Sequence, residues 1–341
     1  MKAARFYEPN KPLRIEEVPL PKIREKWALV KVKACGICHS DLHIIKGAIR
    51  VPKTPLILGH EISGRIADIG TEIEEFGKGD RVLVSGIISC GECYYCASGK
   101  DNICQRKVEL GIQIDGGYAE YVAVPSKNLY KIPNSLSYGE AAILTDALAT
   151  PFHAIKLARV TFGSTVAIFG VGGLGMNAVQ LCRLSGARVV AVDILDKKLQ
   201  VAMEFGAEET VNSEVEDPVQ RILQITNGTG ADIALEFVGL PATFEQAIAS
   251  VRRGGRVVLA GVGTQKANLP MRDMTAKEME IIGVQGFVAH SEYPALIDMI
   301  MHGRLDVKRV ISQTVTLEEV NQGLDILEKQ IGNPIRVVLK P

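Results

Sequence analysis

The stretch Thr165–Gly186, TVAIFGVGGLGMNAVQLCRLSG, decides the fold. Its opening TVAIF is apolar and β-branched, and reads as a fully buried strand. GMNAVQLCRLSG reads as a helix. Between them Gly170, Gly172 and Gly175 stand in G-x-G-x-x-G spacing. The first glycine permits a tight turn. The second lets backbone approach a pyrophosphate, and the third lets helix and strand pack closely. The helix N-terminus then faces the phosphates with unpaired N–H groups. Gly173 and Leu174 lie on the same turn and are read with it as cofactor-binding. The next strand, RVVAVD, ends at Asp193. A carboxylate there accepts hydrogen bonds from ribose hydroxyls and repels a 2′-phosphate, and DILDKK puts no Arg or Lys directly after it. This predicts NAD over NADP. Adenosyl-methionine-binding and purely structural folds use such loops too, so the turn alone leaves them open.

Outward from this stretch, KKLQVAMEFG, ADIALEFVG, ATFEQAIASVRRGG and RVVLAGV continue an alternation of helix and strand. That alternation predicts an α/β doubly wound parallel sheet. The first 135 residues or so differ: WALVKVKAC and RVLVSGII read as short strands in a glycine-punctuated, β-rich region. Beyond about residue 286 the chain is mixed, with helices at YPALIDMIMHG and TLEEVNQGLDILEKQ and a final strand IRVVLK. An irregular β domain, an inserted nucleotide-binding domain and a C-terminal return to the first is the simplest architecture.

Composition narrows the partners. Lys+Arg and Asp+Glu are 39 each, which argues against nucleic acid or an anionic membrane. The N-terminal MKAARFYEPNKPLRIEE has charges throughout and does not read as a secretory signal. The apolar run near residues 165–184 is broken by glycines, Asn177 and Gln180, so no membrane span is expected. The expected location is cytoplasmic.

CGECYYCASGKDNIC spaces Cys90, Cys93, Cys96 and Cys104 as C-x2-C-x2-C-x7-C. Four thiolates can close a tetrahedron around Zn²⁺ with no open position, which makes the site structural. An iron–sulfur cluster is the rival, but no second run or following proline supports it. In ACGICHSDLH, Cys35 and Cys38 form a C-x2-C pair with no partner pair left over. A catalytic zinc needs only three protein ligands and an open position. LILGHE supplies His60 and Glu61 after a glycine turn, so one cysteine with one of these is a plausible start.

GICHSDLH, GHE, the four-cysteine lobe, GVGGLG and Asp193, in that order along essentially the whole chain, together resemble the zinc-dependent medium-chain alcohol dehydrogenases. The resemblance implies a GroES-like β-rich catalytic domain (residues 1–147 and 286–341, zinc lobe about 88–106) and a Rossmann NAD-binding domain (148–285), with the active site in the cleft between them. It implies catalytic-zinc ligands at Cys38 and His60, with Glu61 as an adjacent carboxylate that ligates in some states. Ser40 matches the hydroxyl that bonds the substrate oxygen, and His43 the solvent end of a proton relay. His39 and Arg336 match pyrophosphate contacts, and Thr150 the threonine beside the nicotinamide. The implied reaction is reversible NAD-linked oxidation of primary or secondary alcohols, with two Zn²⁺ per chain and a homodimer or homotetramer. A formaldehyde- or threonine-dehydrogenase-like specificity, a zinc-free quinone reductase of the same superfamily and a non-catalytic protein retaining the fold are the alternatives.

The sequence departs from the family pattern once. Where many members place a cysteine as third zinc ligand, AAILTDALATPFHA has Asp146. A carboxylate keeps the ligand charge at minus one and bonds zinc at about 2.0–2.2 Å, against roughly 2.3 Å for sulfur. The competing reading is a helix N-cap before ALATPFHA. Cys35 and Cys182 read as small buried hydrophobes, Asp41 as a local hydrogen-bonder, and His153 and His290 as satisfied polar groups. The resemblance also suggests Ile45, Ile87, Leu110 and Phe152 as substrate-pocket residues.

Overall fold

The computed structural model describes residues 1–341. The chain forms two compact units, Met1–Asp146 with Val288–Pro341, and Ala147–Phe287. Before the crossing the elements are β1 (Lys2–Phe6), β2 (Arg14–Glu17), β3 (Trp27–Ile37), α1 (His39–Ile45), β4 (Leu56–Ile57), β5 (Glu61–Ile69), β6 (Arg81–Val84), β7 (Ile87–Ile88), α2 (Tyr94–Ala97), β8 (Val108–Glu109), β9 (Tyr121–Pro125), β10 (Leu129–Lys131) and α3 (Tyr138–Ile143). A π-helical turn, Leu144–Leu148, follows and leads into α4 (Ala149–Ala158). The second unit continues with β11 (Thr165–Phe169), α5 (Gly173–Leu184), β12 (Arg188–Asp193), α6 (Asp196–Phe205), β13 (Glu209–Asn212), α7 (Pro218–Ile225), β14 (Ala231–Glu236), α8 (Pro241–Ser250), β15 (Val251–Leu259), α9 (Met271–Lys277) and β16 (Glu280–Gly283). The chain returns through α10 (Ala289–Met301), β17 (Ile311–Thr316), α11 (Val320–Glu328) and β18 (Arg336–Lys340).

The first unit is built on a seven-stranded sheet ordered β10-β6-β5-β3-β18-β17, with β9 also pairing β3. Its inward side chains, among them Val30, Val32, Ile37, Ile62, Val84 and Val337, form one apolar core. The register brings three distant segments together. Gly36 pairs Glu61 across β3 and β5, and Val337 pairs Ile37 across β18 and β3. Cys38, His60 and Arg336, each one residue beyond a paired position, therefore converge at one end of the sheet.

The second unit is a six-stranded parallel sheet ordered β13-β12-β11-β14-β15-β16. Its central strands are buried runs because helices cover both faces. The order reverses between β11 and β14, and ligands of such sheets bind beyond the strand carboxyl ends at that point. The doubly wound expectation holds in detail, with one difference. VRRGG, which continues a helical pattern in the sequence, belongs to β15: α8 stops at Ser250. Gly254 takes φ 65° and the β14–β15 register shifts there, so the glycines admit an irregularity that a helix tail cannot. No helix is long and apolar enough to cross a membrane.

Candidate active site and metal centres

Cys38 ends the run of β3 in extended conformation (φ −108°, ψ 155°) and caps α1. Its backbone N–H donates to the Asp41 carboxylate at 2.9 Å. Asp41 is fully buried and does more than a local bond. It also accepts from the Gly59 N–H at 3.3 Å and the Tyr118 hydroxyl at 2.8 Å. Its Oδ1 lies 3.8 Å from His60 Nδ1. One carboxylate thus ties the α1 turn to the LGHE turn and places its charge behind the His60 ring. Gly59 makes the LGHE turn at φ 89°, and a Cβ there would meet the Tyr118 ring at 2.5 Å.

Asp146 comes from the π-helical turn. It does not cap α4: the residue before that helix is Leu148, in αR conformation and without a side-chain cap bond. The N-cap reading is therefore replaced. π turns redirect one or two side chains out of a helix's normal phase, and they recur at functional sites.

Ligand atoms of Cys38, His60, Glu61 and Asp146 all lie within 4.8 Å of one another. Asp146 Oδ2 is 3.6 Å from Cys38 Sγ and 3.6 Å from His60 Nε2. A tetrahedron with metal bonds of 2.0–2.3 Å has edges of about 3.3–3.8 Å, so sulfur, nitrogen and oxygen stand at zinc-ligand spacing. The donor set fits a divalent zinc with an open position. Glu61 is turned toward another partner. Its Oε2 accepts from Arg336 Nε at 3.1 Å, and the guanidinium also pairs with Oε1. Gly36 makes room for this, since a Cβ there would lie 1.9 Å from Glu61 Oε2.

Electrostatics match the ligand roles. Burial favours the neutral Cys38 thiol, but the Arg336 charge and a hydrogen bond to His60 outweigh it and lower the thiol from its ordinary value. Burial also opposes charge on His60, yet hydrogen bonds to Asp146 and Cys38 and the Asp41 charge hold it well above its ordinary value. A metal competes with that proton for the same nitrogen. Cys35, fully buried, has its thiol pushed far up by burial and is core; so is Cys182.

The remaining residues named from the sequence fall into groups. The Ser40 hydroxyl lies 3.3 Å from Cys38 Sγ, beside the ligand cluster without belonging to it. His39 is exposed at the start of α1, and His43 is half-buried in its last turn. Thr150 is buried in α4, in the other unit. Arg336 is 1% exposed and engaged by Glu61, with Nη2 3.7 Å from Asp146 Oδ2. Its reading as a pyrophosphate contact left this partner out, because the pairing follows from the β3–β5–β18 register and not from any local motif. Leu110 is fully buried in the apolar core, which removes it from the suggested pocket residues. Ile45 and Ile87 are partly exposed.

In the lobe, Cys90, Cys93, Cys96 and Cys104 are all free thiols with ligand atoms within 4.8 Å. Sulfur separations of 3.9 Å (Cys90–Cys96), 3.5 Å (Cys93–Cys96) and 3.8 Å (Cys93–Cys104) bracket the edge of about 3.8 Å that four Zn–S bonds give. Backbone N–H groups of Glu92 and Cys93 lower the Cys90 thiol to about 6. Arg106 Nη2 lies 3.4 Å from its sulfur. Backbone N–H groups of Cys96 and Gln105 lower the Cys93 thiol too, whereas burial pushes the Cys96 thiol up to about 11.

In the second unit the glycine turn lies beyond β11, at the point where the sheet order reverses. Gly170 takes φ 86°, and a Cβ on Gly175 would lie 1.8 Å from the Gly170 carbonyl. Gly172 faces open space. That combination, tight packing at the third glycine and an open cradle at the second, fits a pyrophosphate over the α5 N-terminus. Asp193 Oδ2 accepts from Val171 N–H at 2.9 Å, and Oδ1 from Ile194 at 2.9 Å and Leu195 at 3.1 Å. The carboxylate therefore also fastens the turn. Two features escaped the sequence reading. Lys198 is buried, its charge opposed by burial and favoured by Asp193, and only the KK after Asp193 hinted at it. Val238, after β14, packs over Gly170, where a Cβ would meet its methyl at 2.5 Å.

Comparison with known proteins agrees with both units. Residues 24–134 match the family model of the alcohol dehydrogenase GroES-like domain, and residues 173–302 that of the zinc-binding dehydrogenases. The chain is 39% identical over 344 residues to an alcohol dehydrogenase of Geobacillus stearothermophilus, covering 100% of this chain and 99% of that one. It is 36% identical over 353 residues to an NAD-dependent alcohol dehydrogenase of Sulfurisphaera tokodaii, covering 99% and 100%. The crystal structure of the alcohol dehydrogenase from Aeropyrum pernix superposes with a TM-score of 0.92 at 34% identity, covering 100% of both chains. With its fold, its motif order and these full-length relatives in agreement, the chain belongs to the zinc-dependent medium-chain alcohol dehydrogenase family.

Proposed function

We propose that this enzyme catalyses reversible, NAD-linked oxidation of primary or secondary alcohols to aldehydes or ketones. The observation that carries the reading is the cluster of Cys38, His60 and Asp146 at zinc-ligand spacing with the Ser40 hydroxyl beside it. Bound zinc supplies a positive charge that makes a substrate hydroxyl acidic near neutral pH, and bound NAD supplies the hydride acceptor. The chain's own residues do the rest. Cys38, His60 and Asp146 hold the metal and leave a position for substrate. Asp41 holds the Cys38 backbone and, through Gly59, the turn that carries His60. Ser40 takes the hydroxyl proton and passes it toward His43, whose imidazole is held below its ordinary value by burial and the Lys46 charge. Arg336 engages the Glu61 carboxylate, so Glu61 serves as an alternative fourth ligand only when that pair opens. In the second unit the α5 N-terminus and the glycine turn bind the pyrophosphate, Asp193 the adenosine ribose, and Thr150 the nicotinamide end.

The lobe holds a second, structural zinc through its four cysteines, giving two ions per chain. The protein acts in the cytoplasm as a homodimer or homotetramer. A screen of NADH absorbance over primary alcohols, secondary alcohols, diols, threonine and formaldehyde tests the substrate class. Turnover of simple alcohols is expected. Activity confined to diols or threonine would overturn the simple-alcohol reading, and activity confined to formaldehyde would move the assignment to that specificity.

A further inference from the structure

The π-helical turn that carries Asp146 is held from outside by a residue that no site reading includes. Tyr293, on α10, donates its hydroxyl to the Thr145 carbonyl at 2.8 Å. The two residues lie 148 positions apart, and Tyr293 is fully buried. Its ring stands edge-on to Tyr130 of β10, with centroids 5.0 Å apart and planes at 88°. The phenol is therefore a fixed strut and not a flexible contact. Thr145 is held on its other side too, since its hydroxyl donates to the Ala142 carbonyl at 2.6 Å.

The Thr145 carbonyl and the Asp146 nitrogen belong to one peptide plane. Gripping that carbonyl fixes the direction in which the Asp146 Cα, and so its short side chain, leaves the backbone. An aspartate has only one methylene between backbone and carboxylate, and its oxygen must meet sulfur and nitrogen at 3.6 Å. A small tilt of the plane moves the oxygen off that position.

We propose that Tyr293 is a positioning residue for the catalytic-metal site, acting through the Thr145–Asp146 peptide plane; this rests on the reading of Asp146 as a zinc ligand. The substitution Tyr293→Phe keeps the ring and removes the strut's donor. The holoenzyme variants are challenged with rising chelator, and zinc per chain and the melting temperature of the chelated protein are measured. Partners of this outer kind are worth roughly 10–100-fold in metal affinity. Tyr293→Phe is expected to release one zinc at about tenfold lower chelator concentration while the lobe zinc is held as in wild type. Release of both ions at wild-type concentrations overturns the proposal. So does a parallel shift of both ions with a lowered melting temperature, which marks general loosening. Asp146→Ala runs alongside. If it keeps two zincs, the ligand reading fails and takes the proposal with it. If it loses one while Tyr293→Phe loses none, only the role of Tyr293 fails.

Discussion

Ser40 and His43 show what single side chains contribute around the candidate metal ligands. Ser40 touches the Cys38 sulfur at 3.3 Å, so Ser40→Ala should leave zinc and NADH binding intact while kcat falls by about 10²–10⁴, the usual worth of a positioned proton carrier. Ser40→Thr, which keeps the hydroxyl, should retain most activity in the same steady-state assay. His43 gives a pH prediction. Burial and the Lys46 charge lower its imidazole from 6.5, so as pH falls the unfolded chain binds this proton before the folded one does. Its contribution to stability is fully present above about pH 6.5 and is lost as pH falls through the lower folded-state value. Denaturant midpoints at pH 7.5 and 5.5 should differ less in His43→Gln than in wild type; an unchanged difference would contradict the assignment. The candidate ligands were legible because Cys, His and Asp in tight motifs carry few other meanings. Asp41, Arg336 and Tyr293 were not, because their partners Tyr118, Glu61 and Thr145 are set by sheet register and helix packing, and no local spacing records them.

At the scale of elements, the glycine turn separates two kinds of constraint. Gly175→Ala puts a Cβ 1.8 Å from the Gly170 carbonyl and forces α5 away from β11, a close-packed contact whose overpacking costs roughly 1–3 kcal/mol. A fall in melting temperature should report it. Gly172→Ala meets nothing within 4 Å, so the melting temperature should hold, while NADH binding weakens by about tenfold, or about 1.4 kcal/mol, as the methyl enters the phosphate path. Fluorescence titration with NADH measures this. Equal NADH affinity in wild type and Gly172→Ala would argue against the pyrophosphate seat. The alternation of strand and helix around this turn was readable because buried parallel strands and amphipathic helices have distinct patterns. The π turn was not: Leu144–Leu148 has an ordinary helical composition, and only the backbone reveals that Asp146 leaves the normal helical phase.

For the whole molecule, one unit collects the candidate metal ligands by sheet register and the π turn, and the other offers the glycine turn at its switch point. The first covalent crossing between them falls at Asp146 and Ala147, inside the π turn, so the residue that departs from the family pattern also ends the first segment of its unit. The proposed zinc chemistry depends on that aspartate as third ligand. Zinc per chain, counted with NADH-linked turnover in wild type and in Asp146→Asn, tests it most directly, because Asn keeps the size and capping capacity of Asp but not its charge. Two zincs in wild type are predicted. In Asp146→Asn one should remain, held by Cys90, Cys93, Cys96 and Cys104, with turnover down by at least about 100-fold. Two zincs and undiminished turnover in Asp146→Asn would contradict the central claim.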